Sequence, residues 1–268
     1  QYPWAPQMVY STLASMGRMT EDTFLTPKDR SAIEGAVDVP YTVPDLWVRH
    51  THSDAGVPVS YWRSVGHSHN GFAVETFMDE LAHRAGEDPV QFRLRHLADS
   101  PRHQAVLERA AETAGWGDPL PEGRAQGVAL HRSFGTYVAQ VVEASIKDGA
   151  IRVHRVTCAA DCGQMVNPDI VRMQLEGGIL FGLTAALYGD VDWDDDGRMK
   201  QSNFHNYTLM RHDETPELNI LLMENNEHPQ GVGEPGTPPA IPALGNALFG
   251  LTGERQRRTP FRAGRGDA

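Results

Sequence analysis

The 268-residue sequence predicts an α+β fold in which mixed sheets are flanked by helices. Helix signals fill residues 70–115, alternating strand patterns occupy residues 127–156, and two further helices enclose one more strand between residues 168 and 253. A hydrophobic content of 40% and a charged content of 22% are those of an ordinary globular protein. The length is enough for one large domain or two smaller ones.

The segment before the first clear helix carries weaker signals. Residues 27–30 resemble a helix start, and Val39 to Pro44 indicate an extended connector, because a residue before proline avoids the helical region. Residues 46–51 alternate as a strand would, and a polar loop is expected over residues 52–58.

Three helices follow, and each is marked by the residues at its ends. Asn70 is the expected N-cap of the first helix, and Gly86 its end. Asp88 and Pro89 open the second helix, with proline at its first position. The third runs from about residue 102 to residue 114. The apolar side chains expected inside the first two helices are Phe72, Phe77, Leu81, Phe92, Leu94 and Leu97.

A linker rich in proline and glycine, from Asp118 to Gly123, separates these helices from a strand-rich half. We therefore predict two regions, residues 1–122 and residues 123–268. Both are expected to contribute to the cofactor site described below.

The strand-rich half begins with a hairpin. Strands are expected within residues 127–145 and 151–156, and the Asp148-Gly149 pair between them is typical of a tight turn. Asn167 and Pro168 then open a helix that extends to about residue 187. The remaining elements are a strand over residues 218–223 and a helix from Pro239 to Gly253.

The balance of charges excludes one class of function. The chain has 24 basic and 35 acidic residues and a net charge of −11, whereas nucleic-acid binding relies on clusters of Lys and Arg. One basic cluster, Arg255 to Arg258, follows the last helix and is interpreted as a solvated helix end. No nucleic-acid partner is expected.

Cysteine usage and hydropathy set two further limits. Cys158 and Cys162 fit neither a zinc ribbon nor a redox pair, so both are expected to be reduced thiols on a strand and the turn after it. No uninterrupted apolar run approaches the roughly 18–20 residues that cross a bilayer, and the richest, Ile179 to Leu187, is too short. Because the chain begins at Gln1 without a methionine or signal peptide, we expect a fragment, a processed product or one part of a split subunit.

One carboxylate stands apart from all others. Glu234 is the only formally charged residue between Glu227 and Glu254. It lies in Gly231-Val232-Gly233-Glu234-Pro235, where glycines admit a ligand close to the backbone and prolines fix the chain. Loss of hydration would raise the pKa of such a carboxyl group toward the range useful for proton transfer. Local composition alone favours an ordinary surface turn.

Four separated segments, read together, resemble one protein family. They are Trp62-Arg63-Ser64-Val65-Gly66 followed by Glu75-Thr76, Asp161-Cys162-Gly163 followed by Asn167-Pro168, Gln174-Leu175-Glu176-Gly177-Gly178, and Gly231 to Pro235. Their order and spacing resemble the C-terminal part of the molybdopterin-binding large subunit of the xanthine oxidase and aldehyde oxidase family of molybdenum hydroxylases. The isoquinoline 1-oxidoreductase β-subunit and aldehyde dehydrogenase type is the most similar branch.

The resemblance implies a fold, a cofactor and a reaction. Such subunits are large α+β proteins that enclose a molybdopterin, often in its cytosine dinucleotide form, and the pterin dithiolene holds the molybdenum without a protein ligand. Glu234 maps onto the general base of the family, which takes the proton of the molybdenum hydroxyl. The implied reaction is hydroxylation of an aldehyde or N-heteroaromatic carbon with water as the oxygen source.

The resemblance also implies binding residues. Arg63 and Gln174 match family residues near the molybdenum and the cofactor, and their donors and acceptors suit oxo, phosphate and pterin groups. Gly66, Gly177 and Gly233 are expected to lie against the cofactor. Taken singly, a surface arginine in an ion pair, an exposed glutamine and glycines that pack helices together remain open explanations.

Trp62 and Val65 are expected to line the substrate pocket. Val65 stands where xanthine-type enzymes carry a phenylalanine that stacks on the substrate, so the sequence argues against a purine. Trp62 offers an aromatic wall, although tryptophan is more often plain core. His67-Ser68-His69 departs from the family pattern and invites a metal site, but hydrogen bonding is favoured because no further ligand lies at a suitable spacing.

The resemblance implies partner chains as well. The remaining part of the large subunit, a small subunit with two [2Fe–2S] clusters and, in some relatives, a cytochrome c subunit would form a heteromer that oxidises a small molecule. A location in the periplasm or at the periplasmic face of the inner membrane is expected, with the cytoplasm as the alternative. Two other interpretations stay open: a metal hydrolase that uses His67, His69 and one of Asp54, Glu75 or Asp79, and a non-catalytic subunit that completes another chain.

Overall fold

The computed structural model describes residues 30–51 and 60–263. The polar loop expected at residues 52–58, including Asp54, lies outside these ranges. Of the helix start expected at residues 27–30, only Arg30 is described, and it begins a short helix, α1 (Arg30–Ile33).

The elements that follow are three helices, then three strands, and then two helices that enclose a 3₁₀ turn and one more strand. They are α2 (Gly66–Ala85), α3 (Pro89–His96), α4 (Pro101–Ala114), β1 (Arg124–Ser133), β2 (Thr136–Lys147), β3 (Ala150–Asp161), α5 (Pro168–Tyr188), a 3₁₀ turn (His212–Glu214), β4 (Glu217–Leu222) and α6 (Ala240–Thr252). The α+β class predicted from the sequence is confirmed, with one mixed sheet among the described residues where several were expected, and the elements from residue 66 onward follow the predicted order.

The four strands form one mixed sheet in the order β1-β2-β3-β4. β2 pairs antiparallel with both β1 and β3, while β4 lies parallel to β3 and reaches it through the long crossover that contains α5. Both hairpin turns, Phe134-Gly135 and Asp148-Gly149, have positive φ at both residues, which matches the twist of the flanking strands. The second turn was predicted, and the first was not distinguished within its strand segment.

The sheet separates two apolar clusters. Helices α2 to α4 pack on one face, around Leu97 and Leu107, and helices α5 and α6 pack on the other, around Leu175 and Leu244. Alternate residues of each strand point into different clusters, as the two-residue period of a strand requires. Helix α4, from the first predicted region, packs on β2 and β3 of the second. The division of the chain into two regions between residues 122 and 123 stays a prediction.

The helix termini follow the sequence signals closely. Asp88 and Asn167 cap α3 and α5, and each side chain accepts hydrogen bonds from the second and third backbone amides of its helix. Gly86 and Gly115 end α2 and α4 in the left-handed conformation that glycine adopts readily.

The first long helix begins earlier than predicted. It starts at Gly66, so Asn70 lies inside it, and the Asn70 side-chain amide instead donates to the carbonyls of Ala32 at 2.9 Å and Glu34 at 2.8 Å. Asn70 therefore ties α2 to α1 rather than capping α2. Phe77 is 54% exposed and does not lie inside the helix packing.

The strand expected at residues 46–51 is wrong. Leu46 and Trp47 are 51% and 83% exposed, and no strand of the described sheet pairs with this segment. Alternation in sequence cannot supply the neighbouring backbone that a strand needs for its hydrogen bonds.

The interpretation of Arg255 to Arg258 as a solvated helix end holds for the exposed Arg257 and Arg258 but is wrong for Arg255. The Arg255 guanidinium lies 3.5 Å from the Phe249 ring centroid and donates to Asp79 at 2.6 Å. Arg257 pairs with Glu80. Because Asp79 and Glu80 belong to α2, these arginines fasten the end of α6 to that helix.

Helix α5 is long and apolar enough to cross a membrane, and it is the one such helix within the two described ranges. The search for an uninterrupted apolar run missed it because polar residues interrupt the pattern. Leu175, Ile179 and Leu183 of this helix are buried in the core of the sheet domain. Cys158 and Cys162 are free thiols, as predicted, and burial raises the pKa of Cys158 to about 12.

Candidate functional site

The turn before α2 has an unusual backbone. Ser64 and Val65 have φ values of 74° and 50°, a region that side chains branched at Cβ rarely adopt. The Val65 amide donates to the Trp62 carbonyl at 2.8 Å, and the Ser68 hydroxyl donates to the Arg63 carbonyl at 2.7 Å. Strained backbone of this kind persists where the surrounding structure fixes it, frequently at functional sites.

Ser64 joins this turn to Glu234 through two hydrogen bonds. Its backbone amide donates to Glu234 Oε1 at 3.0 Å, and its hydroxyl donates to the Glu234 carbonyl at 2.8 Å. The Thr237 amide donates to that same carbonyl at 3.0 Å. Glu234 is half-buried, and none of the residues in the described ranges donates to its Oε2. The carboxylate is therefore held by one oxygen and presents the other.

Arg63 binds the residue before Glu234. Its Nε donates to the Gly233 carbonyl at 2.9 Å, and its Nη2 donates to the same oxygen. Nη2 also lies 3.4 Å from Gln174 Oε1. The fold thus brings together Arg63, Gln174, Gly233 and Glu234, although Arg63 and Gly233 are 170 positions apart in the sequence.

Two adjacent glycines on α5 have different surroundings. Gly178 is buried, and a Cβ built on it would lie 3.1 Å from the Cα of Gly236. Gly177 is exposed, and a Cβ there would meet only Arg63 Nη1, at 4.0 Å. Gly178 therefore allows close packing of α5 on the Glu234 loop, while Gly177 leaves open space beside Arg63.

The two other predicted glycines also differ. A Cβ on Gly66 would lie 1.9 Å from the Ser31 carbonyl oxygen, so glycine at this position lets α1 approach the start of α2. Gly233 is exposed, and the nearest atom to its missing Cβ is Gln174 Oε1 at 3.9 Å. A contact between Gly66 and a cofactor stays a prediction.

Trp62 forms an aromatic surface rather than core. Its ring stacks on Phe181 with centroids 4.7 Å apart, and the two side chains are 38% and 39% exposed. The Arg63 guanidinium carbon lies 5.6 Å from the Phe181 centroid. Val65 is half-buried within the turn. Phe181 was not assigned to the site from the sequence, although its position one helical turn after Gly177 places it on the same face of α5.

The loop that carries Glu234 is hydrogen-bonded to the turn before β2 and to β2 itself. The Gly231 amide donates to the Phe134 carbonyl at 3.1 Å, and the Thr136 hydroxyl donates to the Gly231 carbonyl at 2.6 Å. The Gln140 side chain donates to the Gly236 carbonyl at 2.9 Å. No local pattern in the sequence marks these anchors, because each joins residues far apart in the chain.

His67 pairs with another histidine. Its Nδ1 lies 2.9 Å from His131 Nε2, so one ring donates to the other, whereas His69 is exposed. Burial lowers the pKa of His67 despite the attraction of the Asp38 and Glu234 carboxylates. Burial also lowers the pKa of His131 to about 3. The pair is neutral near pH 7 and lies close to Glu234.

The other ligands suggested for a metal hydrolase are engaged elsewhere. Glu75 and Asp79 lie 3.0 Å and 3.7 Å from the buried guanidinium of Arg93. Among residues 30–51 and 60–263, no three His, Cys, Asp or Glu side chains converge as a metal site. The described residues therefore give no support to the hydrolase interpretation.

The chemistry of the cluster suits a large cofactor rich in oxygen and nitrogen. Arg63 uses Nε and Nη2 on the Gly233 carbonyl, which leaves its Nη1 donors for oxyanions, and the exposed Gln174 amide can both donate and accept. Gly177 and Gly233 leave the adjoining backbone uncovered. Glu234 is the one proton acceptor among these residues, so the donor set fits a molybdopterin and the carboxylate fits a base.

Comparison with known proteins also leads to a domain that binds molybdopterin. Residues 73–216 match the model of a molybdopterin cofactor-binding domain. The chain is 36% identical over 229 residues to isoquinoline 1-oxidoreductase subunit beta of Brevundimonas diminuta, which covers 84% of this chain and 29% of that protein. It is 33% identical over 260 residues to the membrane-bound aldehyde dehydrogenase (pyrroloquinoline-quinone) of Gluconacetobacter polyoxogenes, covering 88% of this chain and 33% of that protein.

A solved structure shares the fold. Quinoline 2-oxidoreductase from Pseudomonas putida superposes with a TM-score of 0.67 at 13% identity, over 76% of this chain and 52% of that chain. The chain spans about a third of the length of the two curated relatives.

Proposed function

This chain belongs to the xanthine oxidase family as part of a molybdopterin-binding large subunit, and we propose that it contributes the catalytic base and part of the cofactor site of a molybdenum hydroxylase. The reaction is hydroxylation of an aldehyde or an N-heteroaromatic carbon, with water as the oxygen source. The observation that carries this proposal is the convergence of Arg63, Gln174 and Glu234 at one place.

We propose molybdopterin, in its cytosine dinucleotide form, as the cofactor. Arg63 and Gln174 would hold it, and Gly177 and Gly233 would let it approach the backbone. When bound, it supplies an oxidised molybdenum centre that accepts two electrons from the substrate. The name of one relative refers instead to pyrroloquinoline-quinone, but the matched domain at residues 73–216 favours molybdopterin.

Glu234 acts as the general base through Oε2. The Ser64 amide holds Oε1, and Arg63 fixes the Gly233 carbonyl, so the free carboxylate oxygen keeps one position as it takes a proton. A positioned base of this kind contributes roughly 10²–10⁴-fold to a rate. Residues of both predicted regions take part, because Arg63 and Ser64 precede residue 122 while Gln174 and Glu234 follow it.

The assembled enzyme needs further chains. The rest of the large subunit would complete the cofactor site, since this chain spans about a third of its relatives. We propose that electrons leave through a small subunit with two [2Fe–2S] clusters, and in some assemblies through a cytochrome c. We further propose the periplasm, or the periplasmic face of the inner membrane, as the location, with the cytoplasm as the alternative.

An isotope experiment on the purified heteromer tests this function. The enzyme would be assayed with isoquinoline and a dye as electron acceptor in ¹⁸O-labelled water, because aldehydes exchange their oxygen with water and would obscure the result. We expect molybdenum and pterin in the protein and ¹⁸O in the hydroxylated product. Stoichiometric zinc without molybdenum, or product oxygen that comes from O₂, would contradict the proposal.

A further inference from the structure

We propose that the cavity between α5 and the connector after it binds the flat aromatic part of an uncharged substrate. The chain would then select neutral aromatic aldehydes or N-heteroarenes against carboxylated ones. This inference rests on the proposed function and specifies its substrate class.

The cavity is formed by an unusually long connector. Residues 189–216 join α5 to β4 with little regular structure apart from the 3₁₀ turn His212–Glu214. Connectors of this length within a compact fold are commonly functional. The connector folds back on α5 and forms with it an open cavity of ≈ 530 Å³. Small-molecule sites typically measure roughly 300–1,000 Å³.

The walls of the cavity are aromatic and carry no charge. Trp62, Phe181, Phe204 and Tyr207 contribute rings, and the other lining side chains are aliphatic, small or hydroxyl-bearing. A carboxylate or ammonium group bound among these side chains, at the end away from Arg63, would lose its hydration without meeting a counter-ion. A neutral ring, in contrast, could stack on the Trp62 and Phe181 pair or meet it edge to face.

The cavity adjoins the proposed catalytic cluster. Gly177 lines it, and the atom nearest to the missing Cβ of Gly177 is Arg63 Nη1, at 4.0 Å. Trp62, which also lines the cavity, directly precedes Arg63 in the turn that holds Glu234. A ring that fills the cavity therefore ends beside the residues that fix the base.

A pair of substrates with the same reacting group tests the inference. Benzaldehyde and 4-carboxybenzaldehyde differ by one negative charge, and the assembled wild-type enzyme should show at least about ten-fold higher kcat/KM for benzaldehyde. Phe204 is 70% exposed, so Phe204→Ala should leave folding intact. It should raise KM for benzaldehyde by about five-fold, since one aromatic contact is lost. Phe77→Ala, an exposed phenylalanine on α2 outside the cavity, is the matched control and should change neither constant.

A variant designed to bind the carboxylated aldehyde more tightly provides a second test of the inference. Thr215 is exposed and lines the cavity, so Thr215→Lys would place a cation there. We expect KM for 4-carboxybenzaldehyde to fall by about two- to five-fold, whereas Thr215→Met, of similar length and without charge, should give no such fall. The molybdenum content of each variant confirms that the enzyme has assembled.

Two failures can be told apart. If the wild type turns over both aldehydes equally well, or if Phe204→Ala and Thr215→Lys behave as wild type while Glu234→Gln still abolishes turnover, the cavity does not bind substrate. If Glu234→Gln retains turnover, the proposed function fails and this inference fails with it.

Discussion

Ser64 makes two hydrogen bonds to Glu234: its backbone amide donates to the carboxylate at 3.0 Å, and its hydroxyl donates to the backbone carbonyl at 2.8 Å. The first bond fixes the acid and the second fixes the loop that carries it. Ser64 reaches both only because its backbone adopts a φ of 74°, which a serine adopts at a cost in energy. This turn therefore connects backbone strain to the position of the proposed base.

Ser64→Ala should lower kcat several-fold without loss of molybdenum. The variant loses only the hydroxyl bond to the Glu234 carbonyl, and a single hydrogen bond contributes about 0.5–1.5 kcal/mol. Steady-state assay of the assembled enzyme provides the measurement. Ser60→Ala, an exposed serine in the same segment, is the control. Equal kcat for both variants would show that the hydroxyl does not position the base.

Gly178→Ala should lower the stability of the fold, whereas Gly177→Ala should lower its pterin content. At Gly178 a methyl group would crowd Gly236, so we expect a loss of about 1–3 kcal/mol in stability. At Gly177 the methyl has room, so stability should hold while pterin content falls, because the methyl would cover the cofactor surface. Thermal unfolding and pterin analysis measure the two effects. Full pterin occupancy in Gly177→Ala would refute the placement of the cofactor beside this glycine.

Removing the Glu75 carboxylate charge should destabilise the fold strongly. Glu75 is buried and accepts hydrogen bonds from Tyr41, from Arg93 and from the Leu130 amide. Glu75→Gln would leave the buried Arg93 without its closest counter-charge, at a cost of about 3–5 kcal/mol. Chemical denaturation measures the change, with Glu112→Gln on the surface of α4 as the control. A loss similar to that of the control would mean that the network relaxes around the amide.

Stability should fall as the pH drops from about 6.5 toward 5. Burial, reinforced by nearby arginines, lowers the pKa of His103 to about 4, and burial lowers that of His131 to about 3. Both histidines stay neutral in the folded protein but gain a proton on unfolding below their ordinary value of 6.5. For each of these histidines, the free energy of unfolding therefore keeps its full value above pH 6.5 and falls by about 1.4 kcal/mol per pH unit below it.

Urea unfolding midpoints at pH 7.5 and pH 5 would measure this effect in wild type and in a His103→Gln, His131→Gln variant. The wild type should lose much more stability than the variant over this range. His69→Gln, which alters an exposed histidine, should behave as wild type. The same pH dependence in all three proteins would refute the assignment.

Features that are fixed by neighbouring residues could be predicted from the sequence. Asp88 and Asn167 cap helices through amides two and three positions ahead, and Gly86 ends a helix through its own backbone freedom. Residues 46–51 show the limit of such reasoning, because a strand depends on a partner that alternation does not specify. Arg255 shows the same limit, since its partner Asp79 lies on another helix.

The residues of the candidate site also divide into those that the sequence pointed to and those that were missed. The motif resemblance pointed to Arg63, Gln174 and Glu234, and the fold brings these residues together. Ser64 was missed, because its role depends on a contact across 170 positions and on an unusual φ. Phe204 was missed because the connector that carries it has no pattern that indicates a fold.

The most direct measurement of the central claim is the turnover number of Glu234→Gln in the assembled enzyme, with molybdenum and pterin contents measured on the same sample. The amide keeps the shape of the side chain and can still accept from the Ser64 amide, but it cannot take a proton. We predict unchanged cofactor content and a fall in kcat of roughly 10²–10⁴-fold. A fully loaded variant whose kcat stays within a few-fold of wild type would contradict the assignment of Glu234 as the base.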